Sequence, residues 1–203
     1  IKSLGVDIDD NSKFQDLSFH LYLPSNKTGS FSIFGLGGLS SQNEDRTLFD
    51  IITGSGNVRF KNLSSSNTGV IGISHFKTLG EKMNLKSTIA ATGNLIALSN
   101  ENSIGGNTSI LRLNEKNNYG ENKLSISTVL SIFQRKKDNI FKTGITSSIL
   151  NYSLLEGKVA LDSKQFINTL DEDGSTVLFK SFAEYLLHIG KNLSLNTGLH
   201  FSH

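Results

Sequence analysis

Five histidines, His20, His75, His188, His200 and His203, are the side chains of this 203-residue chain best suited to hold a metal or move a proton. None stands at the His-His or His-Glu spacing of a helical metal site, and His200 and His203 fall on opposite faces of an extended segment. They read as polar or interfacial rings. Asp171-Glu172-Asp173-Gly174 and Asp7-Ile8-Asp9-Asp10 have the look of calcium loops, but no bidentate Glu follows at the required distance, so turn chemistry accounts for both. Gly35-Leu36-Gly37-Gly38 is glycine-rich enough for a phosphate cradle, yet it follows an extended run and leads to neither a helix start nor Lys-Ser or Lys-Thr; close backbone packing or a kink explains it. No Gly-x-Ser-x-Gly elbow exists, and the sequon Asn62-Leu63-Ser64 is expected by chance in a chain this rich in Asn and Ser. Gln134-Arg135-Lys136-Lys137, the one basic cluster, sits on a short polar turn, where solvation at a rim beside lipid headgroups suffices. The expectation is therefore a protein that is not an enzyme, with no catalytic, cofactor-binding or metal-binding residue. Ligand-contacting residues are not marked by any motif.

The elements that carry these residues are built from unusual material. Ser, Asn and Thr total 62 of 203 residues, hydrophobic residues reach 36%, and there is one Pro with no Cys or Trp. Collagen-like and disulfide-stapled scaffolds are excluded. A net charge of +2 from 20 basic and 18 acidic residues gives no basic stripe, so nucleic acid is not an expected partner. No run approaches the ~18 apolar residues of a membrane-spanning helix; Leu95-Ile96-Ala97-Leu98 is typical of the longest. Transmembrane β-strands escape that test because they alternate apolar with polar residues.

Alternation is the dominant pattern. Val177, Phe179, Ser181, Ala183, Tyr185, Leu187 and Ile189 share one face of an extended segment, and Leu193, Leu195, Thr197, Leu199 and Phe201 repeat it after Gly190-Lys191-Asn192. A three-residue loop there pairs Ile189 with Leu193 and keeps every apolar residue on one side, with Asn192 taking the left-handed conformation. Leu17/Phe19/Leu21/Leu23, Phe31/Ile33, Leu124/Ile126/Thr128/Leu130/Ile132 and Phe141/Thr143/Ile145/Ser147/Ile149 behave alike. The spacing predicts eight strands near 14–24, 29–39, 67–79, 84–97, 121–133, 139–154, 175–189 and 193–203. Short turns are expected at 25–28, 80–83, 134–138 and 190–192. Long polar links are expected at 40–66, 98–120 and 155–174, with some helix within 45–53 and with 54–63 as a projecting arm. Strands this long, with tight turns at one end and long loops at the other, match an outer-membrane barrel better than a soluble sandwich, whose strands average about 5–6 residues.

The segment Lys13-Phe14-Gln15-Asp16-Leu17-Ser18-Phe19, with Gly29-Ser30-Phe31-Ser32-Ile33-Phe34-Gly35-Leu36-Gly37-Gly38, resembles the barrel of TonB-dependent outer-membrane receptors of the Bacteroidota type that contain a carboxypeptidase-like regulatory domain. Gly69-Val70-Ile71-Gly72-Ile73-Ser74-His75, Ile89-Ala90-Ala91-Thr92-Gly93-Asn94, Leu170-Asp171-Glu172-Asp173-Gly174 and Leu195-Asn196-Thr197-Gly198-Leu199-His200 resemble it in the same order. The resemblance implies an all-β, antiparallel transmembrane β-barrel segment with short periplasmic turns and long extracellular loops. Residues 1–203 would be one partial barrel domain in the bacterial outer membrane, an excised piece of a 22-stranded barrel used for active uptake of a ligand. The implied partners are outer-membrane lipid, the rest of the barrel and its plug, TonB through segments absent here, and a surface lipoprotein. The residues themselves leave two alternatives: a small complete outer-membrane barrel with a structural or adhesion role, and a soluble β-sandwich binding module.

Overall fold

The computed structural model describes residues 10–49, 57–104, 107–134, 139–160, 165–189 and 193–203. They form eight strands: β1 (Asp10–Leu23), β2 (Ser30–Phe49), β3 (Asn57–Leu79), β4 (Met83–Ile104), β5 (Asn107–Gln134), β6 (Asn139–Val159), β7 (Phe166–Ile189) and β8 (Leu193–Ser202). All lie in one antiparallel sheet in chain order, and no helix occurs among the described residues. The sheet is not closed. β1 and β8 are its edges, with no ladder between them.

The eight predicted strands are all present and the four short connections fall where expected. Pro24, which lacks an N–H, follows the end of β1, and Ser25 ties the turn by accepting from Thr28 Oγ1 at 2.9 Å. Gly29 at φ 93° and Gly80 at φ 65° occupy the left-handed region that side chains disfavour. The last hairpin has the predicted register: Ile189 opposes Leu193, Leu187 opposes Leu195, Ala183 opposes Leu199 and His188 opposes Ser194. Gly190-Lys191-Asn192 itself, and with it the conformation of Asn192, lies outside the described residues.

The long links are corrected. Most of 40–66, 98–120 and 155–174 is strand: Ser40 through Phe49 pairs with Ser66 back to Asn57, and Leu98 to Asn100 pairs with Asn117 to Glu115. Residues 45–49 are strand where helix was expected, while 50–53 lie outside the described residues. Residues 57–63 of the expected arm are strand, paired with 43–49, while 54–56 lie outside the described residues. Sequence pattern missed these extensions because Ser, Asn and charged residues occupy both faces there, so apolar alternation stops while the backbone ladder continues. Three register shifts interrupt the extensions: Asn114 and Thr169 are single extra residues, and 108–110 are passed over between the Ser103–Leu111 and Ile104–Asn107 pairs.

No hydrophobic side chain among the described residues is buried, and the chain exposes 14680 Å². A compact monomer of 22.1 kDa exposes about 9,300 Å² by the usual size scaling. Among the described residues the sheet has no second layer, so cross-strand contacts hold it. Several are aromatic rings laid over glycines on the neighbouring strand: Phe19 over Gly35, Phe34 over Gly72, Phe182 over Gly144 and Tyr152 over Gly174. A Cβ on Gly72 would stand 2.5 Å from Phe34 Cζ and 2.9 Å from the Ile89 carbonyl oxygen, whereas on Gly37 the nearest atom would be 3.5 Å away. Gly72→Ala is therefore expected to destabilise the sheet by about 1–3 kcal/mol, and Gly37→Ala by less than about 1. Urea titration followed by far-UV circular dichroism distinguishes the two, and equal cost would contradict the ring-over-glycine account.

Candidate membrane-facing surface

Because side chains alternate across a strand, each ladder row belongs to one face. One row runs Leu21, Ile33, Ile73, Ile89, Ile126 across five strands; the next runs Ser32, Ser74, Thr88, Ser127, Thr146 on the opposite face. Hydroxyls of the second row interlock, Ser74 with Thr88 at 2.9 Å, as do Ser125 and Ser148 on the same face, also at 2.9 Å. The apolar face continues through Ile145, Val177, Leu195 and Leu199, all exposed.

The register fixes the inclination of that face. The row closing the first hairpin, Leu23 with Phe31, passes through His75, Ser87, Thr128 and Ile145 to Ser181, eight residues short of Ile189 at the last hairpin's end. Eight residues at about 3.3 Å against six strand spacings of about 4.8 Å tilts the strands by roughly 40° from the perpendicular to the line of hairpin ends. The apolar run then reaches Leu124 and Ile149, ten residues from their hairpin ends, and Val177, twelve from its own. At that tilt the band is about 25–29 Å tall. Phe31, Phe141 and Tyr185 lie at its hairpin edge. There Asn139, the most buried side chain described, donates to Tyr185 Oη at 3.1 Å and accepts from the His188 backbone N–H at 2.8 Å.

Beyond the band both faces turn polar. Arg59 grips Asp45 through two guanidinium nitrogens, and Lys61 lies 3.9 Å from Glu101. On the other face Glu44, Asn62 and Asn100 form a hydrogen-bonded chain across three strands. Tyr119 donates to Glu156 at 2.7 Å, which holds its phenol above the ordinary value. Asn43 Oδ1, Asn102 Oδ1 and His188 Nδ1 are buried without a partner.

The residues singled out by sequence do not converge. His20, His188 and His200 are on the polar face and His75 on the apolar one, and no cluster of metal-capable side chains exists among the described residues. His200 stacks on Phe182 with ring centroids 5.7 Å apart and lies 3.8 Å from Glu184; His203 continues the ladder by backbone bonds to Phe179. Asp171, Glu172, Asp173 and Gly174 are within β7, in register with Leu155, Leu154, Ser153 and Tyr152, so they are ladder residues and not the turn expected. Asp7-Ile8-Asp9 and Arg135-Lys136-Lys137 lie outside the described residues. Gly35 and Gly37 are mid-strand, facing Phe19 and Leu17, in keeping with close packing. Asn62-Leu63-Ser64 is strand, with Asn62 tied to Glu44. The Asp45–Arg59 clasp and the Asn139 node carried no sequence signal, since their partners meet only through the register.

No protein-family model, curated protein or solved structure matches this chain.

The hydrogen bonds from Arg59 are the main cause holding Asp45 below its ordinary value of 3.8. A depressed carboxyl contributes stability that is present above that value and lost as pH falls through the lower, folded one. Amide exchange in the arm around residues 57–63 is accordingly expected to quicken selectively below about pH 4 relative to the band. An Asp45→Asn variant that keeps the same pH response would contradict this.

Proposed function

We propose that this chain is part of the wall of an outer-membrane β-barrel, with the apolar face against lipid and the hydroxyl-rich face toward the lumen. The observation that carries this reading is the conjunction of a single-layer sheet, an uncovered apolar band about 25 Å tall and strands tilted by roughly 40°, the dimensions of a membrane barrel. A soluble sandwich would need a second sheet over Ile33, Ile73, Ile89 and Ile126. The finer reading is the barrel of a TonB-dependent receptor taking up a ligand, with the polar arms outside the cell. It rests on the sequence resemblance, and it draws support from small lumen-side residues and two free edges, which suit a wide barrel completed by further strands.

Ile126 and Ser127 are neighbours on opposite faces, so Ile126→Arg and Ser127→Arg add the same charge to different surroundings. Ile126→Arg is expected to cost about 2–4 kcal/mol of membrane stability and to deplete the assembled protein, with Ser127→Arg assembling normally in a wide, wet lumen. Equal assembly of both, or a cooperative thermal transition of a soluble monomer without detergent, would overturn the membrane reading. Disulfides forming between cysteines placed along β1 and β8 in intact membranes would instead show direct closure of a small eight-stranded barrel.

A further inference from the structure

The face that carries the apolar band also carries a cleft at the band's far edge, toward the polar arms. The cleft has a volume of about 520 Å³ and is lined chiefly by residues of that face, among them Lys13, Leu63, Ala97, Lys116 and Asn118. Register places them there. Lys13 shares a ladder row with Ser41, Ser65, Ala97 and Asn118, and it lies four residues along β1 from Leu17; Lys116 lies ten residues along β5 from Ile126. No carboxylate is among the described residues that line the cleft, and neither lysine makes an ion pair with a described residue. Asp45 and Glu101, farther along the same face, are already held by Arg59 and Lys61. On the hairpin side of the cleft runs an apolar trough of about 720 Å³, with Leu17, Phe19, Leu39 and Ile71 along it. Trough and cleft adjoin on one face: Leu39 of the trough and Ser41 of the cleft are alternate residues of β2, as are Gln15 and Lys13 of β1.

The two lysines stand at different levels. Lys13 is ten residues from its hairpin end, level with Leu124 and Ile149 at the edge of the band, and Lys116 is eighteen from its own. Eight residues at about 3.3 Å, tilted by roughly 40°, separate the two levels by about 20 Å. The headgroup layer of a phospholipid is only roughly 5–8 Å deep. An anionic saccharide headgroup spans such a height, its charged oxygens meeting the ammonium groups and its hydroxyls meeting neutral groups such as Ser41 and Asn118.

We propose that this cleft binds the anionic saccharide headgroup of a glycolipid in the leaflet on the polar-arm side, with an acyl chain in the trough. The inference rests on the barrel reading above. Two lysines without a carboxylate select an anion, the adjoining trough selects an acylated one, and the height of the cleft selects a saccharide over a glycerophosphate. The test is native mass spectrometry of the whole protein, extracted in neutral detergent and offered lipid A extended by two acidic sugars, the same headgroup without acyl chains, or phosphatidylglycerol. The wild-type protein should retain the intact glycolipid in preference to both others, and K13Q/K116Q should lower that retention about tenfold or more. K27Q/K77Q, the same charge change near the hairpin ends, should leave it unaltered.

Equal retention of the glycolipid by all three proteins would overturn the proposal. So would equal retention of the deacylated headgroup, which needs no trough, or of phosphatidylglycerol, which needs no tall cleft. A protein that inserts into bilayers, with Ile126→Arg defective, yet shows no Lys13/Lys116-dependent preference defeats this site alone. A protein soluble without detergent defeats the barrel reading and the site with it.

Discussion

The constraint on which everything else depends is that one face of a single-layer sheet is apolar and nothing in the described chain covers it. In water, an exposed row such as Leu21, Ile33, Ile73, Ile89 and Ile126 would lose the roughly 25 cal/mol per Å² that burial supplies, repeated over some ten residues of each strand. A globular protein meets that demand with a second layer. None of that demand is met among the described residues, and on the proposed reading the external partner is hydrocarbon, whose thickness matches the band. The backbone is consistent with that reading: each strand between the edges is hydrogen-bonded on both sides, as a chain excluded from water would require. The two unpaired edges, β1 and β8, are then the places where the sheet is incomplete, and further strands are the natural completion on the proposed reading.

With no core, specificity of register comes from cross-strand detail. Rings over glycines act in both directions: Phe34 seals the strip of backbone at Gly72, and only glycine leaves room for it. A slip of one residue would place the hydroxyl row on the apolar face and the isoleucines among the serines. The Asn139 node pins the hairpin end of β6 to β7 by satisfying the His188 N–H with a side-chain carbonyl. These are small interactions, but in a structure without buried apolar side chains they separate the native pairing from its neighbours.

The sequence was informative where chemistry alternates and silent where it does not. The final hairpin could be read to the residue because only one loop length keeps Leu193, Leu195, Leu199 and Phe201 beside Ile189, Leu187, Ala183 and Ser181. The outer halves of β2 through β7 could not, because a strand with polar residues on both faces has no periodic signature; Asp171-Glu172-Asp173-Gly174 has the composition of a turn and the pairing of a strand. The candidate surface was half visible in the same way. Its apolar side is written in the period-2 pattern, but the level and tilt of the band emerge only when the register across the strands is summed.

The polar arms carry the last step of the argument. An extension that merely connected strands could be flexible coil, and its Asn- and Ser-rich composition would favour that. Instead the ladder continues for some ten residues beyond the band, clasped by Arg59 on Asp45, by the Glu44–Asn62–Asn100 chain and by Tyr119 on Glu156. Such contacts are individually weak in water, and their value lies in repetition across adjacent strands. The result is a surface raised above the band that offers amide, hydroxyl and paired charged groups at fixed spacing. On the proposed reading this raised sheet sets the geometry of the outer mouth, and a ligand arriving there meets a preformed polar wall, so less ordering free energy is lost on binding than with mobile loops.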